Sequence, residues 1–245
     1  MHRFSVTLFF VLPFMLVACQ PQNPGQTIIN QSIAAHGNDA WQGKRISFDF
    51  RKFHLVLEQQ GGQFRYERTY TDSAGTPIRD ILTNNSFTRF RNNKPQTLDT
   101  AQIGKYSRAV NSVAYFVLLP FKLVDPAVRA DVVGESKLDG QTYDKVRVRF
   151  QSEGGGKDYA DTFFYWFNRQ THTLDYLAYS EEGPRFRKAV NPKVVGGIRF
   201  QDYINYKGDE KDTTSVGQYD KRYEAHQLPE LSRIEQTNIR VEDLP

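Results

Sequence analysis

One cysteine, Cys19, stands in a chain of 245 residues, so the sequence offers no disulfide, no cysteine metal site beyond that residue and no second thiol. The five histidines, His2, His36, His54, His172 and His226, are isolated. None falls in a His-x-His or His-Glu-x-x-His spacing, so zinc is not signalled, and His36 reads as a helix-end residue. There is no Gly-x-Ser-x-Gly elbow for hydrolysis. The glycine triplet 154–156 is not followed by Lys-Ser/Thr into a helix, which excludes a phosphate loop. Its acidic neighbours Glu153, Asp158 and Asp161 lack the alternate spacing of a calcium loop and read as a solvated hairpin. Excess charge of one sign is missing too: 32 Lys and Arg face 28 Asp and Glu, without a basic block. Nucleic acid is therefore not an expected partner. Nothing in this inventory calls for a cofactor or a resident metal, and the chain is expected not to be an enzyme.

Long apolar runs are scarce as well, in keeping with a mean hydropathy of -0.60. The first lies in MHRFSVTLFFVLPFMLVACQ, where His2 and Arg3 precede the run Phe4 to Val17 and the small pair Ala18-Cys19. A basic start, a short apolar core and a small-residue site make a secretory signal peptide, expected over 1–18. The run is shorter than the roughly 20 residues a membrane-spanning helix needs, and Pro13 interrupts it. Leu16-Val17-Ala18-Cys19 resembles the lipobox of bacterial lipoproteins. That resemblance implies acylation of Cys19, cleavage before it and a membrane anchor of several acyl chains. The stretch 19–26, polar and rich in Gln and Pro, is the expected tether. Gln20 stands where an Asp would imply retention in the inner membrane, so the resemblance implies the outer membrane, facing the periplasm.

The remainder, 27–245, is expected to form one domain. Residues 27–37 carry Ile28, Ile29, Ile33 and Ala34 near helical spacing, closed by Gly37. From Arg45 the period becomes two: Ile46, Phe48 and Phe50 alternate with polar residues, and Phe64, Tyr66, Arg68 and Tyr70 share one face. Strands are expected over about 45–57, 63–70, 78–82, 86–91, 129–137, 142–152, 159–168, 174–180, 185–190, 198–206 and 231–241. About eleven short strands at this spacing mark a barrel or sandwich. In Arg89-Phe90-Arg91 and Arg185-Phe186-Arg187 both arginines take one face, either as a wet strand face or as a site for an anionic headgroup or polysaccharide.

The second apolar run, SVAYFVLLPFKLVDP, interrupts this β pattern at 112–126. Val113, Phe116 and Val117 fall at i, i+3 and i+4, so a helix of two or three turns ended by Pro120 is expected. Val113, Phe116, Val117, Leu119 and Phe121 could fill the core, line a cavity beneath a movable lid, or form an exposed docking patch. The phrases AAHGNDAWQGKRISFDF, KLDGQTYDKVRVRF, FFYWFNRQTHTLDYLAY and VVGGIRFQDYINY resemble the strand rhythm of the LolA/LolB-like superfamily of lipoprotein-sorting proteins. With NSVAYFVLLPFKLVDPAV they also resemble a family of uncharacterised envelope lipoproteins. The superfamily resemblance implies a mainly β, half-open antiparallel barrel with an N-terminal helix and a central helical insertion. It implies an acyl chain or other apolar ligand in the barrel, or else an interaction module with a filled core.

Overall fold

The alternation of apolar and polar residues becomes two antiparallel sheets of seven strands each in the computed structural model, which describes residues 23–151, 162–180, 183–209 and 213–244. In spatial order the first sheet is β14 (Gln236–Asp243), β1 (Lys44–Phe50), β2 (Phe53–Gln60), β3 (Gln63–Thr71), β4 (Pro77–Thr83), β5 (Phe87–Arg91) and β6 (Lys94–Pro95). The second is β13 (Glu230–Ile234), β12 (Ile198–Lys207), β11 (Arg185–Val195), β10 (Leu174–Tyr179), β9 (Thr162–Asn168), β8 (Gln141–Phe150) and β7 (Val128–Leu138). The sheets do not close into a barrel. They adjoin where β13 passes to β14 across Glu235 alone, and there Asp202 of β12 accepts the Gln236 backbone N–H at 2.9 Å. At the other edges, β6 and β7 are joined by the helical segment of the chain. This is the half-open, mainly β architecture that the sequence implied.

Fourteen strands replace the expected eleven for three local reasons. The span 45–57 folds back on itself at Arg51 and Lys52, with Arg51 at φ 56, so Phe50 faces Phe53 across a tight hairpin. The span 231–241 is cut at Glu235 and shared between the sheets. Lys94–Pro95, outside the expected strands, pairs briefly with β5. Among the described residues, three α-helices accompany the sheets. Helix α1 runs Pro24–His36, so the last residues of the expected tether form its first turn, with Asn23 capping Gly25 N–H at 2.8 Å. Helix α2 runs Thr100–Val117, far longer than the expected two or three turns, and opens on a capping box between Asp99 and Gln102. Helix α3, Tyr219–Glu224, follows a 3-10 turn at Thr213–Gln218 and was not foreseen.

Between the sheets, α1, the second half of α2 and a 3-10 turn at Phe121–Val124 fill the space. Ile29, Val110, Leu118 and Leu123 meet Phe48 and Leu55 from one sheet and Val146, Tyr165 and Phe200 from the other. One end of this space, the floor, is closed where Trp41 stacks on Phe121 with centroids 5.6 Å apart. There Gly37, at φ 121, caps α1 against the backbone of Gly197, a place where a side chain would collide. The convex face of the second sheet carries a separate apolar layer, Trp166, Tyr176 and Phe186, covered by Tyr219 and Tyr223 of α3.

Candidate functional site at the mouth of the half-barrel

The sequence-predicted lining residues sit in the packed interior. Phe116, Val117, Leu119 and Phe121 are buried, and Val113 is half-buried against the same cluster. None of the five lines either of the two clefts described below. Phe116 packs on Phe50 and on Tyr203, centroids 6.4 and 4.7 Å away. Cys19 and the signal segment lie outside the described residues, as does the acidic loop around 154–156.

The clefts lie at the opposite end from Trp41 and Phe121, where the β1–β2 hairpin marks the mouth. One, of about 590 Å³, opens on the convex face of the first sheet beside the β1–β2 hairpin and is lined by Asp49, Arg51, His54, Thr69, Arg79 and Phe90. The other, of about 380 Å³, lies between β3–β5 and the head of α2 and is lined by Tyr70, Ile78, Arg89, Arg91, Leu98 and Tyr106. The paired residues Tyr70 and Ile78 line both, at the rim of the sheet. Both volumes fall in the range of small-molecule sites, about 300–1,000 Å³. Of α2, only Val110, Ala114, Phe116 and Val117 are fully buried, so its first three turns rest on the second cleft without burying a residue.

Strand register builds the charged wall of this mouth. Arg68 on β3 stands opposite Asp80 on β4, and Asp80 stands opposite Arg89 on β5, all on the concave face. Asp80, fully buried, accepts from Arg68 Nη2 at 2.7 Å and from Arg89 Nε and Nη2 at 2.7 and 2.9 Å. Burial disfavours the charge on Arg89, yet the hydrogen bonds and attraction of Asp80 outweigh it and hold its pKa above the usual arginine value. Arg68 also donates to the Ala109 carbonyl of α2 at 3.2 Å, tying the helix to the sheet. Aromatic faces alternate with these cations: Arg89 lies 3.3 Å from the Tyr106 centroid, Arg68 4.9 Å from Phe53 and Lys52 5.4 Å from Tyr70. Across the mouth, Arg187 of β11 lies over Phe116 and Tyr179, and Arg51 over Phe50.

Elsewhere the titratable groups are structural in their contacts. His36 is 1% exposed; its Nε2 accepts the Leu174 backbone N–H at 3.1 Å, and burial followed by repulsion from Arg199 lowers its pKa to about 3. It is the buried helix-end residue expected. His54 pairs with Asp49 at 2.7 Å on the convex face of the first sheet, and Lys145 with Asp220 at 3.0 Å beneath α3. Among the described residues no group of three His, Cys, Asp or Glu is placed to hold a metal ion, and no helix is long and apolar enough to cross a membrane.

Sequence reasoning placed Arg68 and Arg89 on single strand faces but did not identify the buried Asp80 between them. The signal was there in period two: Arg68, Asp80 and Arg89 each share a face with apolar neighbours, Tyr66 and Tyr70, Ile78 and Leu82, and Phe87. A charge among inward apolar residues on three successive strands marks a paired cluster.

Comparison with known proteins places this geometry in a broader setting. The family of unknown function DUF6503 matches residues 3–236. A LolA superfamily protein of Nitrosomonas europaea aligns over 90% of this chain and 94% of its own, with 11% identity and a TM-score of 0.51. A DUF1329 family protein of Desulfovibrio piger aligns over 89% and 93%, with 11% identity and a TM-score of 0.53. At that identity the likeness is one of fold, and the fold is LolA-like. No curated protein matches the chain.

Proposed function

The chain belongs to the family of unknown function DUF6503, and we propose that it is a non-enzymatic, lipid-anchored envelope protein that binds an amphiphile at the mouth of its half-barrel. The role is in envelope lipid or lipoprotein handling. Its anchor is the acylated Cys19, its place the periplasmic face of the outer membrane. The acyl chain lies along Tyr70, Ile78, Leu98 and Tyr106, beneath the head of α2. The observation that supports this reading is the second cleft, where Tyr70 and Tyr106 stand under a helix head that fully buries no residue of its own. Burial of an acyl chain contributes about 0.8 kcal/mol per methylene, enough for ten carbons to hold firmly.

Native mass spectrometry of the protein purified gently from its own cells tests this. The expected result is an added mass that denaturation releases as a fatty acid or phospholipid. An unliganded mass, together with no uptake of a fluorescent acyl probe, overturns it. For the anchor, Cys19→Ala is expected to release the protein from the membrane fraction. A second reading, an interaction module without ligand, is favoured by the packing of 113–123 as core instead of cavity lining. It predicts that same unliganded mass and a co-purifying protein lost on surface mutation.

A further inference from the structure

Arg187 is a part-buried cation at the mouth that no carboxylate among the described residues pairs with. Its strand neighbours turn outward, Phe186 into the apolar layer under α3 and Lys188 to Asp139, so Arg187 faces inward, part-buried. Its guanidinium lies 4.3 Å from the Phe116 centroid and 5.0 Å from that of Tyr179, and one Nη donates to the Tyr179 hydroxyl. Its Nε is buried without a partner. Arg68, Arg89 and Arg91 of the mouth are paired: the first two share Asp80, and Arg91 meets Asp72 at 3.0 Å. Arg187 makes no ion pair among the described residues, and neither does Arg51, the charged neighbour it senses, which has the same sign.

A part-buried guanidinium beside a second cation, with hydrogen-bonding capacity left over, is unfavourable until an anion arrives. The planar fork suits the paired oxygens of a carboxylate or phosphate. Phe116, Phe50 and Tyr203 pack against one another beneath it, and Arg51, over Phe50, opens on the first cleft.

We infer that Arg187, with Arg51 beside it, binds the anionic group of the ligand, a carboxylate or phosphate, while the aromatic mouth takes the apolar part. This rests on the amphiphile reading above. It makes Arg187 the residue that discriminates acidic from neutral amphiphiles.

The test compares oleate with oleyl alcohol, the same chain without charge, by calorimetric titration of the full-length protein. Inorganic phosphate is added separately, with the melting temperature as readout. The wild-type protein is expected to bind oleate at least about tenfold more tightly than the alcohol, the scale of one charge-assisted contact. Arg187→Gln is expected to bring that ratio to about one while leaving alcohol affinity unchanged. Equal binding of both probes by the wild type overturns the anion site and leaves the amphiphile reading standing. Binding of neither probe overturns the amphiphile reading. In that case a rise in melting temperature with phosphate, lost in Arg187→Gln, keeps the site for a small free anion, and no rise removes it as well. If Arg187→Gln does not fold, Arg187→Lys serves in its place. It keeps the charge and loses the fork, and an oleate preference equal to wild type overturns the assignment.

Discussion

At the floor of the space between the sheets Trp41 stacks on Phe121, while at the mouth Arg89 lies flat on Tyr106. Three titratable groups show the contrast. At the floor His36 is pushed down to about 3 and Lys122, over the rings of Trp41 and Tyr66, is lowered by burial to about 8. Both are driven toward their neutral forms, as a dry environment requires. At the mouth Asp80 raises Arg89 against the same force, and charge is kept. One end is packed against water; the other retains charge and open volume, which is where a ligand has something to gain.

The difference can be broken first at the floor. Phe121 is 2% exposed, and Phe121→Ala is expected to cost about 3–5 kcal/mol in urea unfolding. A loss under 1 kcal/mol shows that the floor can collapse and is not close-packed. Next comes the mouth: Asp80→Asn leaves two buried guanidinium groups without a counter-charge and is expected to cost about 3 kcal/mol by the same measurement. A neutral or stabilising result would mean that water already screens this wall.

A smaller, pH-dependent effect separates the two ends further. His36 in the fold titrates near 3 against about 6.5 in the unfolded chain, so the unfolded state takes the proton first. Its contribution is therefore complete above pH 6.5 and is lost as pH falls toward 3, by at most about 1.4 kcal/mol per unit. His36→Gln should flatten the fall of melting temperature between pH 6.5 and 4, and parallel profiles for the two proteins would remove His36 from the account. The smallest effect belongs to the head of α2. Ile103 is 38% exposed, and Ile103→Ser is expected to change stability by no more than about 0.5 kcal/mol. A larger loss would show that the head is packed as firmly as the rest of the helix.

Alternation made the strands legible, and Ile46-Phe48-Phe50 and Phe64-Tyr66-Arg68-Tyr70 take the faces that period two assigns. What period two does not encode is where a continuous alternating run turns. Arg51-Lys52 carries no Gly or Asn, and Arg51 adopts positive φ without the usual residue type, so β1 and β2 read as one strand. Helix α2 was legible only where it is apolar. Its first half is polar because it rests on a wet cleft, and the cue that remained was the pair Asp99 and Gln102 three residues apart. The apolarity and helical spacing of 113–121 marked burial but did not choose between core, cavity lining and docking patch, because they do not tell whether the space beside a residue is empty. The mouth needed the register of three strands, which spacing along the chain does not contain.

Strand β1, near the start of the domain, lies between β2 and β14, and Lys44 is matched with Asp243 across 199 residues of sequence. Pairing so distant is slow, because the loop must close before any contact rewards it. During synthesis, then, β1 to β5 can form their hairpins early, but one flank of β1 stays unsealed until the final strand has been made. An unsealed flank of this kind invites pairing with another chain. The timing of the last strand, more than the strength of any one contact, is expected to decide how much newly made protein reaches the native state.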